Sequence, residues 1–165
     1  MMSTTVSPTH LPALGAHERR EIGLELQATL VELVDLSLVG KQLHWSVVGP
    51  LFRPLHLQLD ELVDSWRDLA DVVAERAVAI GYSPDGQAEP IAAGAGLAGL
   101  KPGAIEGDAV VRELARRLAE TNERTRVRMD RLADLDVASQ DVLIEVVREL
   151  EKQLWMTRAQ LQGGA

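Results

Sequence analysis

Leu55-His56-Leu57-Gln58-Leu59-Asp60-Glu61-Leu62-Val63-Asp64-Ser65-Trp66-Arg67-Asp68-Leu69-Ala70-Asp71-Val72-Val73-Ala74-Glu75-Arg76 carries two patterns at once. Leu55, Leu59, Leu62, Trp66, Leu69 and Val73 recur at three- and four-residue spacing, and Ile80 continues the stripe. At about 100° per residue the stripe stays within roughly 40° of Leu55, whereas His56, Asp60, Asp71 and Glu75 fall roughly 100–200° away. The stretch therefore predicts a long helix with one face buried and imidazole and carboxylate groups on another.

Outward from this helix, the prolines set the boundaries. Pro8, Pro12, Pro50, Pro54, Pro84, Pro90 and Pro102 leave the proline-free stretches 13–49, 55–83 and 103–165. Proline is costly inside a helix, so these stretches are the natural helical segments. The third breaks near Leu135-Asp136-Val137-Ala138-Ser139, where Asp and Ser can cap a new helix. Four helices follow, at about 17–47, 53–80, 108–134 and 138–161. The first has the stripe Ile22, Leu26, Leu30 and Leu33. The third has Val111, Leu114, Leu118, Met129 and Leu132, and the fourth has Leu143, Val147, Leu150, Leu154 and Leu161. Four amphipathic helices of this length bury their stripes most simply against each other, which predicts an all-α four-helix bundle. The connection from Gly81 to Gly107 is too long for a plain bundle loop. It lets the second and third helices run in the same direction, and its Ala- and Gly-rich middle, Ile91 to Leu100, can form a short extra helix. Residues 17–161 are thus read as one bundle domain, with flexible tails at 1–16 and 162–165.

Composition narrows the function classes. Hydrophobic residues at 46% and charged residues at 25% are globular values, and aromatics at 3% leave the core to aliphatic side chains. The absence of cysteine excludes disulfides, iron–sulfur clusters and thiolate zinc sites, and it fits a cytoplasmic location. No apolar run reaches the length of a membrane span, and Met1 to Pro12 lacks a signal-peptide pattern. A net charge of −8 fits cation handling better than nucleic-acid binding, although many proteins are acidic for solubility alone.

Two of the four histidines flank the junction of the first two helices. With the acidic residues that follow, the pattern is His44-x11-His56-x3-Asp60-x10-Asp71-x3-Glu75. Mixed imidazole and carboxylate donors suit iron, manganese or zinc. The inward-facing Glu-x-x-His of the di-iron bundles does not occur here. Asp60 and Asp71 lie about 16 Å apart along a helix, too far for one ion with bonds of about 2 Å. A single chain therefore offers two half-sites. Twofold pairing of two copies, second helix against second helix, would bring His56 and Asp60 of one to Asp71 and Glu75 of the other. His44 can join the histidine half. The bland alternative is that these carboxylates form a solvated face.

Lys41-Gln42-Leu43-His44-Trp45-Ser46-Val47-Val48-Gly49-Pro50, followed by Phe52, Leu55-His56, Leu59-Asp60, Asp71 and Ala74-Glu75-Arg76, resembles the signature of the Dps-type miniferritins. Leu150-Glu151-Lys152-Gln153-Leu154-Trp155-Met156 resembles their last helix, and the match runs from about 17 to 160. The resemblance implies a ferritin-like bundle and a homo-oligomeric, dodecameric hollow shell built from twofold dimers. It implies an intersubunit ferroxidase centre with His44, His56 and Asp60 from one chain and Asp71 and Glu75 from its neighbour. Iron would be oxidised there, with hydrogen peroxide preferred to oxygen, and stored as ferric mineral. Such donors also suit zinc, a candidate competitor. Trp45 would lie beside the centre, in interface packing or in a redox role.

Asp136, Asp141 and Glu145 are spaced like the acidic residues that line the family's threefold iron-entry pores; the alternative is that Asp136 caps the fourth helix and the others are solvated. DNA binding, common among relatives with basic tails, is expected to be weak or absent. Residues 1–16 contain no Lys or Arg, and the chain ends Gln162-Gly163-Gly164-Ala165. The competing functions are a nucleoid-associated, DNA-compacting protein with a structural metal site, and a non-catalytic helical assembly module.

Overall fold

The computed structural model describes residues 12–94 and 99–161. Most of the expected tails, residues 1–11 and 162–165, lie outside the described residues, as do residues 95–98 of the crossover. Four long helices form: α1 (Ala16–Ser46), α2 (Phe52–Ala79), α4 (Gly107–Leu132) and α5 (Val137–Ala159), with the short α3 (Ala88–Gly94) in the crossover. Two-residue strands β1 (Val47–Val48) and β2 (Ile105–Glu106) precede α2 and α4. Every long-helix boundary lies within two residues of the one the sequence predicts. Among the described residues no helix is long and apolar enough to cross a membrane.

The stripes do what their spacing requires. On α2, Leu55, Leu59, Leu62, Trp66, Leu69 and Val73 are buried, and so is Ile80 at its C-terminal end. They meet Ile22, Leu26, Leu30 and Leu33 of α1, Val111, Leu114, Leu118 and Leu132 of α4, and Leu143 and Leu150 of α5 in one core. Each such Leu is stabilising by about 1.5–3 kcal/mol relative to exposure. Met129 and Leu154 pack against this core while only partly buried. Leu161 departs from the expected stripe: α5 ends at Ala159, so the helical phase no longer holds and the side chain is exposed.

α1 packs along α2, and α4 along α5. The first contact is close because Gly40 faces Trp66. A Cβ at Gly40 would stand 2.5 Å from Trp66 Cζ3 and 2.7 Å from Val63 Cγ2. The Trp66 ring, fully buried, donates from Nε1 to Gln153 Oε1 of α5 at 2.7 Å, so one side chain ties α2 to both of its neighbours.

Between α1 and α4 the contact is partly ionic, which the apolar stripes do not reveal. Glu32, buried on α1, accepts from Arg124 Nε at 2.6 Å and from Arg128 Nη2 and Nη1 at 2.8 and 2.9 Å. Burial pushes the Asp35 carboxyl up; Arg117 opposes this, Glu32 adds to it, and Arg124 opposes it.

β1 and β2 pair in parallel, Val47 opposite Ile105 and Val48 opposite Glu106. Because one strand leads into α2 and the other into α4, the pair puts the two helix starts side by side, and α2 and α4 run in the same direction. α3 begins at Ala88, ahead of the expected Ile91, and Leu100 is outside it. Pro90 falls in its first turn, where a missing N–H costs nothing. Asp136 caps α5, its side chain accepting from Ser139 N at 3.0 Å.

Candidate metal centre

The α1–α2 corner makes the centre. Val47 leaves the helical conformation, and Gly49 takes φ +91°, a value that favours glycine. Phe52 N then bonds Gly49 O at 3.0 Å and starts α2. This tight reversal sets the last two turns of α1, with Lys41 and His44, against the first turns of α2, with His56 and Asp60.

The two histidines latch each other. His44 Nδ1 lies 2.9 Å from His56 O, and His56 Nδ1 lies 3.0 Å from His44 O. A carbonyl oxygen only accepts, so both Nδ1 atoms carry a proton, and in the neutral form of each ring the lone pair is on Nε2. The rings stack with centroids 3.6 Å apart and 23° between planes, and the Phe52 ring lies 5.0 Å from that of His56. This is the outer-shell arrangement that fixes tautomer and ring orientation in metal-binding histidines.

Asp60, one turn beyond His56, completes a triad. His44, His56 and Asp60 can each offer a ligand atom within 4.8 Å of the others. Asp60 Oδ1 stands 3.3 Å from His44 Nδ1 and accepts a hydrogen bond from Lys41 Nζ. That bond from Lys41 holds the Asp60 carboxyl below the usual aspartate range; desolvation opposes it, and the nearby charges of His44, Lys41 and His56 assist. The donor set of two imidazole nitrogens and a carboxylate fits iron or zinc and leaves coordination positions open.

The other two residues of the pattern are not brought to this cluster. Asp71 and Glu75 are exposed further along α2. Among the described residues neither side chain has an ion pair or hydrogen bond. A single chain thus assembles three of the five. Trp45 follows His44 with its side chain 70% exposed, so it is no core residue of the chain alone.

Asp136 is engaged within its own chain. Its Oδ2 accepts from Ser139 Oγ at 2.5 Å and Arg76 Nη2 at 2.6 Å, and Arg76 Nε donates to Ser139 Oγ at 2.9 Å. Burial would raise this carboxyl, but the bonds from Ser139 and Arg76 keep it low. Asp141 and Glu145, one turn apart on α5, are exposed and line a groove against α2 with Asp68 and Arg148. Sequence reasoning did not single out Lys41. Its signal was the three-residue step to His44, which sets both on one side of α1.

Four long helices with a crossover between the second and third make a ferritin-like bundle, and residues 24–164 match the ferritin-like domain family. A DNA protection during starvation protein of Mycolicibacterium smegmatis is 37% identical over 93% of this chain and 84% of its own length. The DNA protection during starvation protein 2 of Deinococcus radiodurans is 34% identical over 94% of this chain. The chain spans 64% of that relative's length. The solved structure of Mycobacterium smegmatis Dps in its tetragonal form superposes with a TM-score of 0.88 at 34% identity, covering 93% of each chain. The chain belongs to the ferritin-like family, as a Dps-type miniferritin.

Proposed function

We propose that the chain is a ferroxidase and iron-storage protein whose active centre forms between two copies related by a twofold axis. The observation that carries this reading is the histidine triad: His44 and His56 with both Nδ1 atoms tied to carbonyls, and Asp60 within reach of both. In a twofold pair, Asp71 and Glu75 of the partner subunit would close the open side. Iron is the substrate. The imidazoles favour Fe(II), while the carboxylates favour the harder Fe(III) and so the oxidised product. Each Fe(II) gives up one electron. One hydrogen peroxide accepts two electrons and, with two protons, leaves as two waters; the same iron can reduce oxygen. Consuming peroxide and Fe(II) together protects the cell from radical chemistry.

The product would be kept as ferric mineral inside a twelve-subunit shell. Asp141 and Glu145, with Asp136 at the helix cap, would line the iron-entry pores, where grouped carboxylates concentrate cations. Zinc would compete for the triad. With a net charge of −8, DNA binding near neutral pH would be weak, and the protein would act in the cytoplasm.

The test is anaerobic Fe(II) loading of the purified protein followed by a peroxide pulse. Ferric absorbance and the iron retained in the protein peak on size exclusion are recorded beside an Asp71→Ala/Glu75→Ala variant. Rapid oxidation and retention by the wild type, lost in the assembled variant, supports the intersubunit centre. Equal behaviour would mean that the carboxylates are a solvated face and that the chain is an assembly module.

A further inference from the structure

We infer that Lys41 is an internal counter-cation of the triad: its ammonium occupies Asp60 until a divalent ion displaces it, and it thereby limits how tightly the site holds metal. This rests on reading His44, His56 and Asp60 as a metal site. Lys41 lies three residues before His44 on α1, and its Nζ donates to Asp60 Oδ1. The side chain is 28% exposed, so the charge is partly withdrawn from water. Among the described residues Asp60 is its one ion-pair partner, and the same Oδ1 stands 3.3 Å from His44 Nδ1, so the ammonium sits on the carboxylate of the triad.

A metal ion bound by the imidazoles and Asp60 would need the same carboxylate. It would sit on the order of 5 Å from the ammonium, and a divalent ion is repelled there twice as strongly as a unit charge. The two cations cannot share Asp60 at full strength. The lysine stem has four rotatable carbons, so the ammonium can swing to solvent when metal enters and return when metal leaves. A monovalent cation gains too little from one carboxylate to displace it. Lys41 is therefore a specificity-determining residue. It keeps Asp60 oriented and charge-balanced in the empty site, and it weakens the hold on metal enough for an oxidised ion to move on.

The experiment is calorimetric titration of the assembled, metal-free protein with zinc, a redox-silent probe. It compares wild type with Lys41→Met, Lys41→Gln, Lys41→Arg and Asp60→Asn. Lys41→Met and Lys41→Gln are expected to bind zinc about tenfold tighter or more, having lost the competing charge. Lys41→Arg keeps that charge and should remain near the wild type. In a peroxide-driven assay the tighter variants should slow from their own first turnover to later ones more than the wild type does, because the product is held. Zinc affinity unchanged or weakened in both neutral variants would overturn the role of Lys41 while leaving the metal site standing. A wild type that takes up no zinc at the triad, indistinguishable from Asp60→Asn, would overturn both. If one neutral variant fails to assemble, the other carries the comparison.

Discussion

The two ends of α2 carry the same spacing and have different fates. His56 and Asp60 sit four residues apart near its start, and Asp71 and Glu75 sit four apart near its end. The first pair is part-buried and bonded. His56 reaches the His44 carbonyl, and Asp60 is held by Lys41 beside the His44 ring. The second pair is exposed. Helical spacing alone therefore makes a face and not a site. The site arises where the last two turns of α1 fold back over the face and contribute a donor, a cation and a carbonyl. The second pair has no such neighbour among the described residues.

The largest expected effect breaks the assembled end outright. His56→Ala removes a donor and one arm of the reciprocal latch, so peroxide-driven Fe(II) oxidation should fall by about a hundredfold or more. Asp71→Ala/Glu75→Ala should lower oxidation as well, but leave the melting temperature unchanged, because among the described residues no ion pair or side-chain hydrogen bond depends on them. A melting temperature that falls as far in the double variant as in His56→Ala would erase the contrast between the two ends.

A second break comes from behind the site. In Gly40→Ala the new methyl would press on the Trp66 ring and Val63, in a core without room to spare. Overpacking of this kind costs about 1–3 kcal/mol, seen as a lower midpoint in urea unfolding. It should also loosen the triad by prying α1 from α2, so zinc binding should weaken with stability. Undiminished zinc affinity would show that the corner holds itself independently of the helix contact.

Further along the chain, Asp136→Ala removes the α5 cap and the partner of Arg76, a loss of about 1–2 kcal/mol. The sign of its pH dependence follows from its lowered carboxyl. The usual aspartate value is 3.8, and the folded value lies below it. The stability Asp136 contributes is therefore present above that value and is lost as pH falls through the folded value. Wild type and variant should differ most near neutrality and converge in acid; a gap that widens in acid would contradict this account. The smallest expected effect is that of Asp141→Asn on the exposed α5 face. It should slow iron uptake by about a fewfold through loss of local cation attraction, with an unchanged size-exclusion profile. Unaltered uptake kinetics would remove Asp141 from the entry path.

Much of this was legible in the sequence, for reasons that particular residues make plain. The prolines at 50, 54, 84, 90 and 102 marked the connections, and the Leu55-to-Ile80 stripe fixed which side of α2 faces inward. Three residues of the five-residue pattern, His44, His56 and Asp60, are the ones the structure brings together, and the spacing of Asp60 and Asp71 already set Asp71 and Glu75 apart from them along the helix. What remained hidden depends on register between helices, which periodicity does not encode. Glu32 looks like any surface acid until Arg124 and Arg128 are set opposite it. Lys41 looks solvated until the corner places it on Asp60. The reciprocal bonds of His44 and His56 use backbone carbonyls, which leave no mark in the amino-acid order. Leu161 fitted the stripe on paper and fell outside it because the helix stops two residues earlier.

The parallel pairing of Val47 with Ile105 divides the molecule by sequence distance. The triad closes over residues 44 to 60, whereas the clasp that staples its corner joins positions 58 residues apart. Loop-closure entropy grows with the span, so the first contact is cheap and local, and the second waits for the whole crossover. During vectorial synthesis the donors of the histidine half are in hand before α4 and α5 exist. The contacts of the corner need only the α1–α2 hairpin, whereas the clasp needs the start of α4 as well.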